Sequence, residues 1–194
     1  MKFTPKINKT LKVAAKAHKD QLRKGTDIPY IMHPVAVAFI ISQYSDDEDA
    51  IMGGLLHDVL EDVRPDIYSA TDMEKDFGEE IVKIVRDVSE DKVAGEENEK
   101  PWKERKEGYL AHLESLDDTR PLIISMGDKI HNLMSILEDY EEKGDTLWDR
   151  FNASYDEQVW YYNEFLKIME NKPVPPEMLA ELKGLVETLT NISK

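Results

Sequence analysis

The sequence predicts an all-α protein, and three observations support this fold class. Apolar residues recur at the 3.6-residue period of a helix along nearly the whole chain. The chain holds only nine glycines and nine prolines, which is too few for a β-sandwich with many tight turns. Its 194 residues show neither an internal repeat nor a low-complexity linker, and they are enough to bury a real core. We therefore expect residues 1–194 to form a single helical domain.

The first half of the chain predicts four helices joined by short loops. Residues 25–30, GTDIPY, are expected to form a loop. Pro34 suits the first turn of the next helix, with His33 held extended just before it. Pro65 ends the third helix, and Thr71 is expected to cap the fourth. The predicted helices span residues 6–24, 34–44, 47–62 and 72–88.

Four more helices are predicted after the polar residues 89–100, which we interpret as a solvated loop. The prolines at 173, 175 and 176 separate the last two helices. The aromatic residues near 148–162 are typical of a packing helix, so we expect residues of about 147–192 to pack against the preceding part. The predicted helices span residues 101–116, 119–142, 147–171 and 175–192.

The composition excludes several classes of partner. A net charge of −15 repels nucleic-acid backbones and anionic membranes, so neither is an expected partner. An anionic substrate would need local basic residues or a metal. The chain has no cysteine, which excludes disulfides and thiolate ligands and fits a reducing compartment. The first ten residues lack the apolar core of a signal peptide, and no apolar run reaches membrane-spanning length. We expect a cytoplasmic protein, and a homo-oligomer is left open.

Four ionisable residues lie inside an apolar run, GGLLHDVLEDV, at residues 53–63: His57, Asp58, Glu61 and Asp62. Burying unpaired charge costs several kcal/mol. At about 100° per residue the four polar side chains share one arc of a helix, and the apolar ones take the other. The arc is either a solvent-exposed acidic face or the wall of a metal site. Adjacent His and Asp side chains can turn toward one divalent ion, with Glu61 and Asp62 near enough to act on its water.

A second apolar helix, PLIISMGDKIHNLMSIL at residues 121–137, carries Asp128, His131 and Asn132 in its middle. A lone Asp in so apolar a helix should be paired or ligated, and we predict that Asp128 binds a metal. Asn132 shares its face of the helix. His131 is either a hydrogen-bonded core histidine or a substrate contact. His33, next to Pro34, is either a third element of the site or a surface turn histidine.

The order His33, His57-Asp58, Asp128 resembles the H…HD…D pattern of the HD-domain metal-dependent phosphohydrolases. HKDQLRKGTDIPYIMHPVAVA resembles the H-x-x-Q-x-R-K-S-G-x-P-Y-I-x-H-P-x-x-V-A signature of the hydrolase domain of RelA/SpoT-type enzymes. GGLLHDVLED resembles their A-A-L-L-H-D-x-x-E-D, and GDKIHNL their A-D-[RK]-L-H-N-[ML]. The similarity runs from about residue 10 to 140.

The resemblance implies a helical bundle with a metal site in its core. It also implies removal of the 3′-pyrophosphate from guanosine tetra- and pentaphosphate (ppGpp and pppGpp), with Mn²⁺ bound, to give GDP or GTP. Its implied metal ligands are His33, His57, Asp58 and Asp128. Its implied catalytic pair is Glu61 and Asp62, and its implied substrate-binding residues are Arg23, Lys24 and Asn132.

The chain departs from the family pattern at several points. RKGTDIPY carries one residue more than RKSGxPY and lacks its serine, and Val63 stands in place of a threonine. The segment from residue 89 onward differs as well. It is either a phosphate-contacting or lid region or an amphipathic surface helix. The basic residues concerned are Lys92, Lys103, Arg105 and Lys106, and the inner face of the helix would be Trp102, Tyr109 and Leu113.

Two other functions therefore stay open. One is a metal-dependent nucleotidase or phosphatase acting on another nucleotide. The other is a non-catalytic module that senses a nucleotide, which would not need the acidic pair Glu61 and Asp62.

Overall fold

The computed structural model describes residues 2–90 and 100–192. Within them the secondary structure is helical, and the β pairing is limited to an isolated bridge between Leu22 and Pro29. The predicted all-α class is confirmed. No helix among these residues combines the length and the apolar character that crossing a bilayer requires.

The described residues form ten α-helices and one 3₁₀ helix. They are α1 Pro5–Ala17, α2 Met32–Tyr44, α3 Glu48–Leu56, α4 Val59–Asp62, α5 Ala70–Phe77, α6 Glu79–Val88, α7 Trp102–Ser115, α8 Thr119–Lys143, a 3₁₀ helix Gly144–Arg150, α9 Tyr155–Met169 and α10 Pro176–Thr190.

The first predicted helix is too long. α1 ends at Ala17, not near residue 24, and the chain then folds back on itself. The N–H of Arg23 donates to the carbonyl of Ile28 at 2.9 Å, and the N–H of Tyr30 donates to the carbonyl of Gln21 at 2.9 Å. These cross-loop bonds satisfy the backbone without a helix, so residues 18–30 form a compact loop.

His33 was wrongly expected to be extended. It is the second residue of α2, and its N–H donates to the carbonyl of Tyr30 at 2.9 Å. Pro34 is tolerated at the next position because the N–H groups of a first helical turn have no partner within the helix. The helix start therefore sets the direction of the His33 side chain.

Two predicted helices are each split in two. The chain turns at His57 and Asp58, between α3 and α4, instead of running straight from 47 to 62. Gly78, with φ of +91°, separates α5 from α6, because that backbone angle is readily adopted only by glycine. Ser69, not Thr71, caps α5, and its hydroxyl and the Asp72 carboxylate form a capping box.

The predicted helix 147–171 begins too early. Residues up to Arg150 form the 3₁₀ helix, and α9 starts at Tyr155 behind a second capping box made by Ser154 and Glu157. α7, α8 and α10 lie within about two residues of their predicted limits.

α8 is the central helix, and it packs against α2, α3, α6 and α10. Glycines in α3 allow its neighbours to come close. A Cβ atom on Gly53 would lie 2.5 Å from Cδ1 of Ile124 in α8, and one on Gly54 would lie 2.6 Å from Cδ1 of Ile41 in α2. This close packing brings the start of α2, the end of α3 and the middle of α8 to one place in the core.

Candidate active site

Four of the predicted site residues converge where α2, α3 and α8 meet. Nε2 of His33 lies 3.2 Å from Nε2 of His57, 3.4 Å from Oδ2 of Asp58 and 3.2 Å from Oδ1 of Asp128. Nε2 of His57 lies 3.1 Å from Oδ2 of Asp58 and 3.8 Å from Oδ1 of Asp128. Two imidazole nitrogens and two carboxylate oxygens thus face one another at a single point.

The other ring nitrogens of the two histidines are engaged away from this point. Nδ1 of His57 lies 2.8 Å from the carbonyl of Gly54, which requires a proton on Nδ1 and makes Nε2 the lone-pair atom when the ring is neutral. Nδ1 of His33 lies 2.7 Å from Nδ1 of His131. Metal-binding histidines are oriented in this way, with the outer nitrogen hydrogen-bonded and the inner one directed at the ion. The donor set therefore fits a divalent cation, with His33, His57 and Asp58 already grouped closely enough to hold one.

His131 is a hydrogen-bonded core histidine, the first of the two alternatives that its position suggested. It is buried, and its partner is His33. Burial, together with the nearby His33, lowers the pKa of His131 to about 4, so its ring is neutral at ordinary pH.

The charges of the site strongly shift the pKa values of its groups. Burial alone would lower the pKa of His57, but the carboxylates of Asp58 and Asp128 raise it to about 9. Burial would raise the pKa of Asp128, but Lys129 and His33 hold it well below its usual range. Without a metal the site therefore keeps protons on nitrogen and negative charge on oxygen.

Asp128 is held in place by its own helix. Nζ of Lys129 donates to Oδ2 of Asp128 at 2.6 Å, and Nδ2 of Asn132 donates to Oδ1 at 2.5 Å. Lys129 is itself buried and lies 5.0 Å from the ring centroid of Tyr109. Arg23 extends the network, since its NH2 donates to Oδ1 of Asn132 at 3.2 Å.

Tyr30 is a site residue that the sequence reasoning missed. Its hydroxyl donates to Oδ2 of Asp58 at 2.6 Å and lies 3.2 Å from Oδ2 of Asp62. Burial and these two carboxylates raise its pKa far above the usual range, so the phenol keeps its proton. Tyr30 lies in the motif of residues 18–38, but its contact with Asp58 depends on how the loop of residues 18–30 folds.

His18 and Gln21 support the same region from behind. Nε2 of Gln21 donates to the backbone carbonyl of Asp62 at 2.6 Å, and Nδ1 of His18 lies 2.5 Å from Oε1 of Gln21. The His18 ring is buried and its centroid lies 4.9 Å from that of Tyr30. Both residues lie in the motif HKDQLRK, residues 18–24, which also contains Arg23. Their place in that motif is the sequence signal that could have identified them as site residues.

The two acidic residues of α4 are placed differently. Glu61 lines the cavity that contains the four converging side chains, and its Oε2 accepts the N–H of Glu90 at 3.2 Å. Asp62 is reached through the Tyr30 hydroxyl. Adjacent residues on a helix point about 100° apart, which accounts for this difference.

The cavity around the four side chains, which we call the metal cavity, has a volume of about 250 Å³. It borders a larger cavity of about 600 Å³, the outer cavity. Lys24 is exposed and lines only the outer cavity, whereas Arg23 and Asn132 line both. The residues shared by the two cavities are Arg23, Tyr30, Asn132, Gln158 and Tyr162.

α7 packs as an amphipathic helix, with Tyr109 and Leu113 buried on its inner face and Trp102 half-buried. Lys103 lies 5.0 Å from the ring centroid of Trp160 on α9. Among the other basic residues singled out, Lys92 falls outside the described residues. Arg105 and Lys106 both form ion pairs with Glu90.

A helical bundle in which His, His-Asp and Asp side chains converge in the core is the arrangement expected of an HD-domain protein. The family model described as HD domain matches residues 10–154, so the chain belongs to the HD domain family. Within that family it is homologous to the SpoT/RelA enzymes.

The chain is 35% identical over 130 residues to the guanosine-3′,5′-bis(diphosphate) 3′-pyrophosphohydrolase of Haemophilus influenzae, covering 64% of this chain and 18% of that protein. It is also 35% identical over 130 residues to the bifunctional (p)ppGpp synthase/hydrolase SpoT of Escherichia coli, covering 64% of this chain and 17% of that protein. The alignments thus span less than a fifth of the length of these curated relatives.

The solved structures that share the fold include the following two. One is a metazoan ortholog of SpoT described as hydrolysing ppGpp, with a TM-score of 0.75, 24% identity and 97% of each chain covered. The other is a protein of Listeria monocytogenes EGD-e, with a TM-score of 0.68, 27% identity, and 84% of this chain and 99% of that chain covered.

Proposed function

We propose that this protein is a metal-dependent phosphohydrolase that removes the 3′-pyrophosphate of ppGpp and pppGpp, yielding GDP or GTP and pyrophosphate. The observation that carries the proposal is the meeting of His33, His57, Asp58 and Asp128 beside Glu61 in one cavity. Relatives that are 35% identical are named for this activity.

The four converging side chains would hold the ion. Two imidazole nitrogens and two carboxylate oxygens suit Mn²⁺ among several divalent metals, and Mn²⁺ is our proposed cofactor. When bound, the ion supplies Lewis acidity that polarises a phosphoryl oxygen and activates water. The hydrogen bonds of His57 to Gly54 and of His33 to His131 keep the Nε2 atoms aimed inward.

Glu61 and Asp62 are the proposed acid–base pair. Glu61 lines the metal cavity, where its carboxylate can take a proton from the attacking water. Asp62 is oriented by the Tyr30 hydroxyl, which contacts both Asp62 and Asp58. Tyr30 would hold the orientation of Asp58 and keep its own proton during the reaction.

Arg23, Lys24 and Asn132 are the proposed substrate-binding residues. Arg23 and Asn132 line both cavities, so they lie between the reacting phosphorus and the outer cavity, which would take the nucleoside. Arg23 lies 5.6 Å from the ring centroid of Tyr30 and is bonded to Asn132, which leaves its charge at the boundary of the two cavities. In a protein of net charge −15, this local positive charge is what an anionic substrate needs.

One observation favours a different nucleotide as a second candidate. Thr26, Asp27 and Ile28, within the loop that is one residue longer than the family pattern, line the outer cavity. A changed loop there would alter the selection of the nucleoside and leave the metal chemistry intact.

The test is product release by purified protein with Mn²⁺. The substrates are ppGpp, nucleoside mono- and triphosphates and NADPH. We expect pyrophosphate from ppGpp, loss of this activity in Asp58→Ala, and full activity in Asp66→Ala, a matched change at an exposed aspartate.

Orthophosphate release from another nucleotide would instead support the second candidate. Binding of a nucleotide without turnover of any compound would support a sensing module.

A further inference from the structure

Glu90 lies at the boundary between the metal cavity and a third cavity of about 710 Å³, and it lines both. Its carboxylate binds two cations of α7. NH1 of Arg105 lies 2.5 Å from Oε2 of Glu90, and Nζ of Lys106 contacts Oε1. Lys106 lines the metal cavity and Arg105 lines the third cavity. A clamp of one carboxylate and two cations therefore stands at the edge of the metal cavity.

The clamp leaves buried hydrogen-bond donors without an acceptor. Among the described residues, three buried side-chain polar atoms have no hydrogen-bond partner, and two of them belong to this cluster: Nε of Arg105 and the hydroxyl of Tyr161. Tyr161 is 3% exposed, and its ring centroid lies 4.8 Å from Nζ of Lys106. Buried donors without partners are rare in folded proteins and mark sites where an acceptor is missing.

A phosphate group suits this donor set better than the Glu90 carboxylate in its present position. The two oxygens of Glu90 are taken by NH1 of Arg105 and by Nζ of Lys106, whereas a phosphate has a further oxygen that can also accept from Nε of Arg105. Burial and the nearby Lys129 lower the pKa of Lys106 despite its contact with Glu90, so a stronger anionic partner would be accommodated there.

The clamp also lies on the correct side of the metal cavity. The metal cavity shares Arg23 and Asn132 with the outer cavity, and it shares Glu90 and Tyr109 with the third cavity. The outer and third cavities have no lining residue in common. A substrate with its nucleoside in the outer cavity would extend its pyrophosphate across the metal toward Lys106.

We propose that Arg105 and Lys106 form an anion subsite for the terminal phosphate of the pyrophosphate group that is removed, and that the Glu90 carboxylate occupies this subsite until substrate displaces it. This inference rests on the proposed function and adds to it the position of the leaving group. The backbone N–H of Glu90 donates to Oε2 of Glu61 at 3.2 Å. This backbone bond places the subsite directly beside the proposed acid–base pair.

The test is binding of inorganic pyrophosphate to the Mn²⁺-loaded protein, measured by titration calorimetry at constant free Mn²⁺. Glu90→Gln removes the competing charge and should bind pyrophosphate about tenfold more tightly, the ratio typical of one charge-assisted hydrogen bond. Lys106→Met should bind it at least about tenfold more weakly. Lys103→Met, an exposed lysine on the same helix, should stay within about twofold.

The subsite is wrong if Glu90→Gln binds pyrophosphate no more tightly than the unchanged protein, or if Lys106→Met binds it equally well. Circular dichroism melting shows whether Lys106→Met folds, and Arg105→Met replaces it if it does not. Because binding needs no turnover, the two proposals fail separately. The expected binding pattern in a protein inactive on ppGpp would reject the activity alone. Turnover of ppGpp without the pattern would reject the subsite alone.

Discussion

Nδ1 of His33 and Nδ1 of His131 lie 2.7 Å apart, so one of these rings donates a proton to the other. His131 is neutral at ordinary pH, since burial lowers its pKa to about 4. The pair thereby holds the Nε2 atom of His33 toward His57, Asp58 and Asp128. His131 is not in the predicted ligand set, yet it determines the orientation of a ligand.

Replacing His131 should weaken metal binding without removing a ligand. For His131→Ala we expect Mn²⁺ affinity to fall about 10- to 100-fold, the usual effect of losing a partner behind a ligating histidine. His112→Ala is the control, because His112 is half-buried and bonded to the carbonyl of Asp87, away from the metal cavity. Equal Mn²⁺ affinity for the two variants in calorimetric titrations would contradict this role.

Metal uptake should release protons. In the metal-free protein the pKa of His57 is raised to about 9, so at pH 7 an ion must displace the proton that His57 carries. We expect Mn²⁺ affinity to rise with pH up to about 9, with release of about one proton at pH 7. Calorimetry in buffers of different ionisation enthalpy measures this number. A binding enthalpy that is independent of the buffer would argue against it.

The raised pKa of His57 also predicts that the stability of the metal-free protein depends on pH. The pKa of His57 in the folded, metal-free protein is above its ordinary value of 6.5. The stabilisation by the protonated ring is therefore complete below about pH 6.5 and is lost as the pH rises through about 9. Chemical denaturation of chelated protein should show a falling free energy of unfolding across this window. The Mn²⁺-loaded protein, in which the ion replaces the proton, should not show the fall.

Tyr30→Phe should reduce catalysis more than folding. The change removes the hydroxyl that contacts Asp58 and Asp62 and leaves the ring stacked near His18. We expect kcat on ppGpp to fall about 10- to 100-fold, the usual effect of losing a group that orients a metal ligand. We expect bound Mn²⁺ to be retained. Tyr140→Phe, which removes a surface hydroxyl bonded to Asp145, is the control. An unchanged kcat in Tyr30→Phe would reject the link between Tyr30 and the acidic pair.

Gly53→Ala should destabilise the protein although alanine favours helices. The added Cβ would lie 2.5 Å from Cδ1 of Ile124 and 2.9 Å from Cγ2 of Ile84. We expect a net loss of about 1 kcal/mol or more in the free energy of unfolding, since overpacking outweighs helix propensity. Gly184→Ala is the matched control, with open space around the new Cβ. It should gain about 0.5–1 kcal/mol. Denaturant titration measures the free energy of unfolding of both variants. A gain in both would show that α3 and α8 can move apart at little cost.

The limits of several helices could not be predicted from local pattern. The predicted limits of α8 and α7 agree with the structure to within about two residues. The split between α3 and α4 falls at His57 and Asp58, where the helical spacing of the apolar residues continues on both sides and gives no local signal for a turn. Residues 18–24 have the composition of a helix, but the cross-loop bonds of Arg23 and Tyr30 overcome that preference.

The sequence by itself determined the all-α class, because helical periodicity is a local property of the chain. It also gave the set His33, His57, Asp58 and Asp128, through the resemblance of its motifs and their order to a known family. Their role as metal ligands stays a prediction. Only the tertiary structure decided that Tyr30 contacts Asp58, that His131 is hydrogen-bonded to His33, and that Glu90 forms an ion pair with Lys106. Each of these contacts joins residues between 16 and 98 positions apart. Such pairings depend on how the helices pack, and no local pattern encodes them.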